Sequence, residues 1–162
     1  MSDYGVPSDP AGALPWNWAQ QRLTDNKNYW LVTASASGRP HALPVWGVWL
    51  PETERFWFSC SPNARKARNV RENPWCVVTV DDTVECVSVE GRARPTDPVG
   101  DAEAVDRAIA AYLVKYWDDP AVHPEMEAFL RSHAIFEVSP ERAFGIIERE
   151  EEFAKRATRW SW

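Results

Sequence analysis

Apolar residues fall in short alternating or continuous runs along most of this chain, separated by turn-forming residues at the spacing expected of β structure. Tyr29 to Ala36 (YWLVTASA) reads as a strand, Ser37-Gly38-Arg39-Pro40 as a turn, and His41 to Leu50 as the returning arm of a hairpin. Pro51-Glu52-Thr53-Glu54 turns the chain into a third strand, Arg55 to Cys60. Trp75 to Asp81 and Val84 to Ala93 supply two more strands, joined at Asp82-Thr83. Near the end, Ala134 to Val138 and Ala143 to Glu148 read as strands on either side of a turn at Ser139-Pro140. Helical spacing appears in four places. Residues near 15–26 start at Pro15 and carry Trp16, Ala19, Gln20 and Leu23. A basic helix begins near Ser61, a third covers 98–117 and a short one lies near 124–132. The third has the clearest stripe: Val105, Ala108, Ile109, Tyr112, Leu113 and Tyr116.

Trp75-Cys76-Val77-Val78 is apolar on both faces, which predicts cover on both sides. A closed barrel with helices or a second subunit outside it meets that need, so the expected class is mainly β with flanking helices. At 162 residues the chain fits one domain, here 15–162, after a Pro-, Gly-, Ser- and Asp-rich segment 1–14 expected to lie loosely on the surface. No apolar run approaches the roughly 20 residues of a membrane span, and the first residues lack the pattern of a signal peptide. A cytoplasmic protein with no membrane partner is the expectation. The three cysteines, Cys60, Cys76 and Cys86, lack CxxC spacing and sit in strands, which fits buried reduced thiols and no metal site. His41, His123 and His133 are scattered over different elements and read as structural. The aromatic end, Thr158-Arg159-Trp160-Ser161-Trp162, is of a kind often anchored across a neighbouring subunit.

Charge changes the picture at one place. The chain carries −6 formal charge, yet 61–74 holds Arg65, Lys66, Arg68 and Arg71 against Glu72 alone. Ser61 is placed to cap the helix and Pro62 to occupy its first position, so free N–H groups would gather beside Arg65 and Lys66. Such a corner holds a phosphate. A compact anionic ligand fits this island better than nucleic acid, which needs a long basic face. The competing reading is a solvated helix face, with Ala64, Ala67 and Val70 turned to the core. The chain has neither a GxSxG elbow, an HExxH zinc motif, a P-loop nor a GxGxxG fingerprint, and no catalytic residue is named by motif. A bound cofactor supplies its own reactivity and explains that absence.

Five segments carry a family likeness: YWLVTASASGRPHALPVWGVW at 29–49, FSCSPNARKARNVRENP at 58–74, VEGRA at 89–93, YLVKYW at 112–117 and TRW at 158–160. In order and spacing they resemble the split β-barrel flavin/deazaflavin oxidoreductase superfamily, which includes pyridoxamine 5′-phosphate oxidase-like proteins. GRPHALPVWGVW looks most like the branch whose members use the deazaflavin coenzyme F-420. The second strand, HALPVWGVWL, has no Lys or Arg, unlike true pyridoxamine phosphate oxidases, and this leaves 61–69 as the main phosphate holder. The resemblance implies a homodimeric FMN-binding-type split barrel with cofactor sites at the interface. It places Pro44, Val45 and Trp46 along the flat ring and Ser59, Ser61, Arg65, Lys66 and Asn69 around the phosphate. Arg159 and Trp160 close the pocket from the other subunit, and Trp46 and Trp160 are the stacking candidates among ten tryptophans. The implied function is hydride transfer from reduced F-420 to an unsaturated small molecule. The alternatives are an FMN-binding oxidase or electron-transfer flavoprotein, and a non-enzymatic cofactor carrier.

Overall fold

The computed structural model describes residues 12–97, 99–152 and 155–162. Its elements run α1 (Trp16–Asp25), β1 (Asn28–Ala34), β2 (Pro40–Leu50), β3 (Arg55–Cys60), α2 (Arg65–Glu72), β4 (Trp75–Val80), β5 (Glu85–Pro95), α3 (Ala102–Tyr116), α4 (His123–Arg131), β6 (Ala134–Ile147) and β7 (Thr158–Ser161). Six strands in the order β3-β2-β1-β4-β5-β6 close into a barrel through the β3–β6 pairing, and β7 extends the far end of β6. The mainly β barrel with flanking helices is therefore the architecture.

Strand alternation decides what lies inside. Phe56 and Phe58 of β3 point into the barrel with Tyr29, Leu31, Trp49, Val78, Val89 and Phe136, whereas Trp57 between them points outward under α3. There Trp57, Val48 and Leu50 meet Val105, Ile109, Tyr112 and Leu113, the stripe read in the sequence. Each such buried side chain contributes about 1.5–3 kcal/mol, so apolar packing seats α3. On β1 and β4 the outer face is bare in places: Trp30 of β1 is 47% exposed and Trp75 of β4 46%.

Several sequence expectations change. Ser139-Pro140 is no turn, because β6 runs unbroken from Ala134 to Ile147. The register against β5 instead slips between Glu90 and Gly91: Glu90 faces Arg142 and Gly91 faces Pro140, leaving Glu141 as the extra residue of a bulge. Proline lacks the donor a regular ladder needs, and a bulge accommodates it. The helix expected at 98–117 begins at Ala102, and the basic helix begins at Arg65. The aromatic tail folds back on its own chain. Glu54, in the left-handed region at φ 52°, accepts from the Trp16 indole at 2.7 Å and the Trp162 indole at 2.6 Å. Leu14, the last residue of the segment set apart at 1–14, is buried and donates its N–H to the Thr158 hydroxyl at 2.8 Å. Residues 1–11 of that segment lie outside the described residues.

The start of α3 is held by Arg94, whose guanidinium donates to both Asp101 oxygens at 2.7 and 2.9 Å and also pairs with Glu137. The Arg94 hydrogen bond, aided by the Asp97 N–H, holds the Asp101 carboxyl down to about 2. A depressed carboxyl contributes stability that is present above its unfolded value near 4 and is lost as pH falls through its folded one. Denaturation followed from pH 5 down to 2 should therefore show an acid loss across about pH 4 to 2. Asp101→Asn should flatten that part of the curve, and an unchanged curve would remove Asp101 as a contributor.

Candidate functional site

The site exists because β2 and β3 part company. They pair only from Gly47↔Phe58 to Leu50↔Arg55. Beyond that point β2 stays with β1 through Trp46, Val45 and Pro44, while β3 follows β6 through Ser59 and Cys60. The gap is a cleft of about 470 Å³, walled by Pro44, Val45 and Trp46 on one side and Ser59, Cys60 and Ser61 on the other. Lys66, Tyr112 and the α4 end at Phe129, Leu130 and His133 complete it. Alternation along an antiparallel strand puts the backbone groups of Pro44 and Trp46 on the edge that β3 has left.

Helix α3 holds that edge in place. The Tyr112 hydroxyl lies 2.9 Å from the Trp46 carbonyl and 3.3 Å from that of Trp57, bridging the two strands where they separate. Burial pushes the Tyr112 phenol well up, so it stays a neutral donor. One turn on, the Tyr116 hydroxyl accepts from the Gly47 N–H at 2.8 Å and lies 2.5 Å from the Lys27 carbonyl. Burial pushes this phenol up to about 12. Between them Lys115 donates to the Tyr29 hydroxyl at 2.7 Å, and burial pulls its amine down to about 8. Trp46 stacks on Tyr116, with centroids 4.9 Å apart and planes at 16°, and remains 51% exposed.

At the basic end the structure corrects the capping scheme. Ala64 is the N-cap of α2 and no side chain caps the helix. Ser61 and Pro62 belong to the preceding turn, where the Ser61 carbonyl accepts from the Ala64 N–H at 2.9 Å and its hydroxyl from the Asn63 N–H at 3.3 Å. Arg68 and Arg71 hold this turn from behind, donating to the Asn63 and Pro62 carbonyls at 2.8 and 3.0 Å. Asn69 is buried and donates to the Thr33 hydroxyl at 2.9 Å, so its amide supports the helix. Arg65 and Lys66 are half-buried and form no ion pair among the described residues. The same cations, after burial itself, help to lower His41. Two serines and the unneutralised Lys66, in the first turn of a helix that no side chain caps, thus line one end of the cleft, a donor set that suits the phosphate of a flat ligand; Arg65, expected beside them, does not line it.

Residues 18–146 match the family described as pyridoxamine 5′-phosphate oxidase. The chain belongs to that family. No curated protein sequence matches it. Among solved structures, it is similar to an FAD-binding protein from Mesorhizobium loti at 22% identity, covering 80% of this chain and 92% of that one, with TM-score 0.61. The haem storage protein HutZ from Vibrio cholerae is 21% identical over 78% of this chain and 87% of its own, TM-score 0.59. PhzG from Burkholderia lata, solved with tetrahydrophenazine-1-carboxylic acid, is 17% identical over 97% and 88%, TM-score 0.60. These likenesses show the shared fold.

Within this member of the pyridoxamine 5′-phosphate oxidase family, six of the sequence-derived positions line one cleft: Pro44, Val45, Trp46, Ser59, Ser61 and Lys66. Arg159 and Trp160 do not line it. Trp160 packs on Trp16 at 5.3 Å and over Gly145, and Arg159 is exposed on β7. Tyr112, Phe129, Leu130 and His133 are cleft residues that sequence reasoning did not assign; only the aromatic pattern YLVKYW hinted at the first. A second cavity of about 330 Å³ lies between α1 and the β4–β5 turn. Its cation, Arg22, is already paired with Glu85 and stacked on Trp18, so the β2–β3 cleft, where Lys66 has no ion pair among the described residues, is the stronger candidate.

Proposed function

We propose that the cleft binds a planar phosphorylated cofactor of the flavin type, coenzyme F-420 in the first place, and that the protein is a homodimeric oxidoreductase acting on an unsaturated small molecule. One observation carries the reading: the strands separate beyond Gly47 and Phe58 to form an apolar slot that ends on the uncapped start of α2. Its volume of about 470 Å³ lies in the range of roughly 300–1,000 Å³ usual for cofactor and ligand pockets. When bound, such a cofactor supplies the hydride chemistry itself. Lys66, Ser59 and Ser61 would hold the phosphate, Pro44 and Trp46 would present backbone groups to the ring edge, and Phe129 with Leu130 would keep water from the slot. The preference for a deazaflavin rests on the likeness of GRPHALPVWGVW, since the geometry serves FMN equally.

FMN stands as the second reading, supported by family membership and by the FAD-binding neighbour. A carrier with no turnover is a third, in view of the haem storage neighbour. The dimer is supported by the bare outer face around Trp30 and Trp75, adjoining the strand edge that borders the cleft. Four measurements separate these readings. The protein should sediment as a dimer, and its tryptophan emission should fall on titration with F-420 more steeply than with FMN. A yellow preparation as purified would favour FMN. Bound reduced cofactor that no acceptor from an enone and quinone panel reoxidises would leave the carrier. Emission unmoved by either cofactor would remove the cofactor reading altogether, and a compact monomer would remove the dimer.

A further inference from the structure

His133 follows α4 and lines the cleft together with Ser59 and Lys66. Its Nδ1 lies 2.9 Å from the Phe129 carbonyl and 3.1 Å from the Ser132 hydroxyl. A carbonyl only accepts, and Ser132 already directs its hydroxyl to that carbonyl at 2.7 Å, so the proton is on His133 Nδ1. The ring is further fixed against Phe129, centroids 4.4 Å apart. Nε2 is left with its lone pair and forms no hydrogen bond among the described residues. His123, outside the cleft, has the opposite arrangement, with Nε2 2.9 Å from the Trp117 carbonyl.

We propose that His133 Nε2 is the group that exchanges a proton with the substrate in this cleft. This rests on the reading of the cleft as a reductase site. A substrate with a C=C conjugated to a carbonyl gains a hydride, with its electron pair, at the electron-poor carbon. Solvent first protonates the bare Nε2, and the resulting enolate then takes that proton at the neighbouring carbon. Two C–H bonds form, the cofactor loses two electrons, and His133 is left neutral with its proton on Nδ1.

Three other titratable side chains line this space, Tyr112, Cys60 and Lys66, and each is less suited to the step. Tyr112 is committed to two backbone carbonyls, and burial pushes the Cys60 thiol up against the opposing pull of Lys66. Lys66 belongs to the anion end. Imidazole is also the side chain suited to giving and taking a proton near neutral pH.

The test begins without turnover. In protein labelled with ¹⁵N-histidine, His133 should show a protonated Nδ1 and a bare Nε2, the reverse of His123, and 2-cyclohexenone added to the FMN-loaded protein should move the Nε2 resonance. An Nε2–H tautomer or an unmoved resonance overturns the proposal. His133→Asn keeps an amide donor for the Phe129 carbonyl and removes Nε2; His133→Gln serves should the first variant not fold. Either should leave cofactor affinity unchanged and lower enone reduction by about 100-fold. Unchanged affinity with turnover within about twofold of wild type overturns the role of His133 alone. Failure of the wild-type protein to bind either cofactor overturns the reductase reading, and the proposal with it.

Discussion

Gly91→Ala is expected to lower the melting temperature by roughly 6–12 °C, corresponding to about 3 kcal/mol in a domain of this size. Gly91 sits at the bulge where β5 and β6 change register, between Cys76 of β4 on one side and Pro140 of β6 on the other. A methyl group there falls well inside contact distance of the Ser139 carbonyl oxygen and 3.0 Å from Pro140 Cα. Both obstacles are backbone, so no side chain can swing aside. Relief requires β5 and β6 to separate, which opens the longest pairing in the barrel and disturbs Val89 and Phe136 behind it. Thermal melts followed by circular dichroism check this. A melting temperature within about 2 °C of wild type would mean that the bulge yields at little cost.

Lys66→Ala is expected to weaken cofactor binding by roughly 10- to 150-fold in the fluorescence titration, the usual worth of a charge-assisted contact at about 1.5–3 kcal/mol. The residue lines the cleft and has no carboxylate to neutralise it among the described residues, so its charge is available to a phosphate. Its removal leaves the turn before α2 intact, because Arg68 and Arg71 hold that turn through the Asn63 and Pro62 carbonyls. The loss should thus be confined to affinity, with the melting temperature of the free protein preserved. Equal affinity in wild type and variant would place the phosphate elsewhere.

Much of this arrangement was legible in the sequence, and the reasons differ from place to place. Short apolar runs identified β1 to β5, because residues such as Phe56, Trp57 and Phe58 are apolar on two faces that are both covered, whereas β6 was read as two strands. The α3 stripe was equally plain. Ser139-Pro140 misled because proline marks turns and bulges alike, and the choice between them lies in the partner strand, where Gly91 gives way. Ser61 misled because a serine before a proline suits a helix cap, yet Arg68 and Arg71 pull the chain into a separate turn and delay the helix to Arg65. His133 could not be recognised at all: its tautomer depends on a carbonyl one turn back and its position on the closure of the β3–β6 seam. Local spacing records neither.

Tyr112 and Tyr116 grip the lip of the slot from a helix packed outside the barrel, of which only Tyr112 lines the cleft. The aperture is therefore set from outside, by how deeply α3 beds on Val48, Leu50 and Trp57. Ligand choice in such a protein can drift through substitutions in that bed, Ile109 for instance, while every residue in contact with the ligand stays the same.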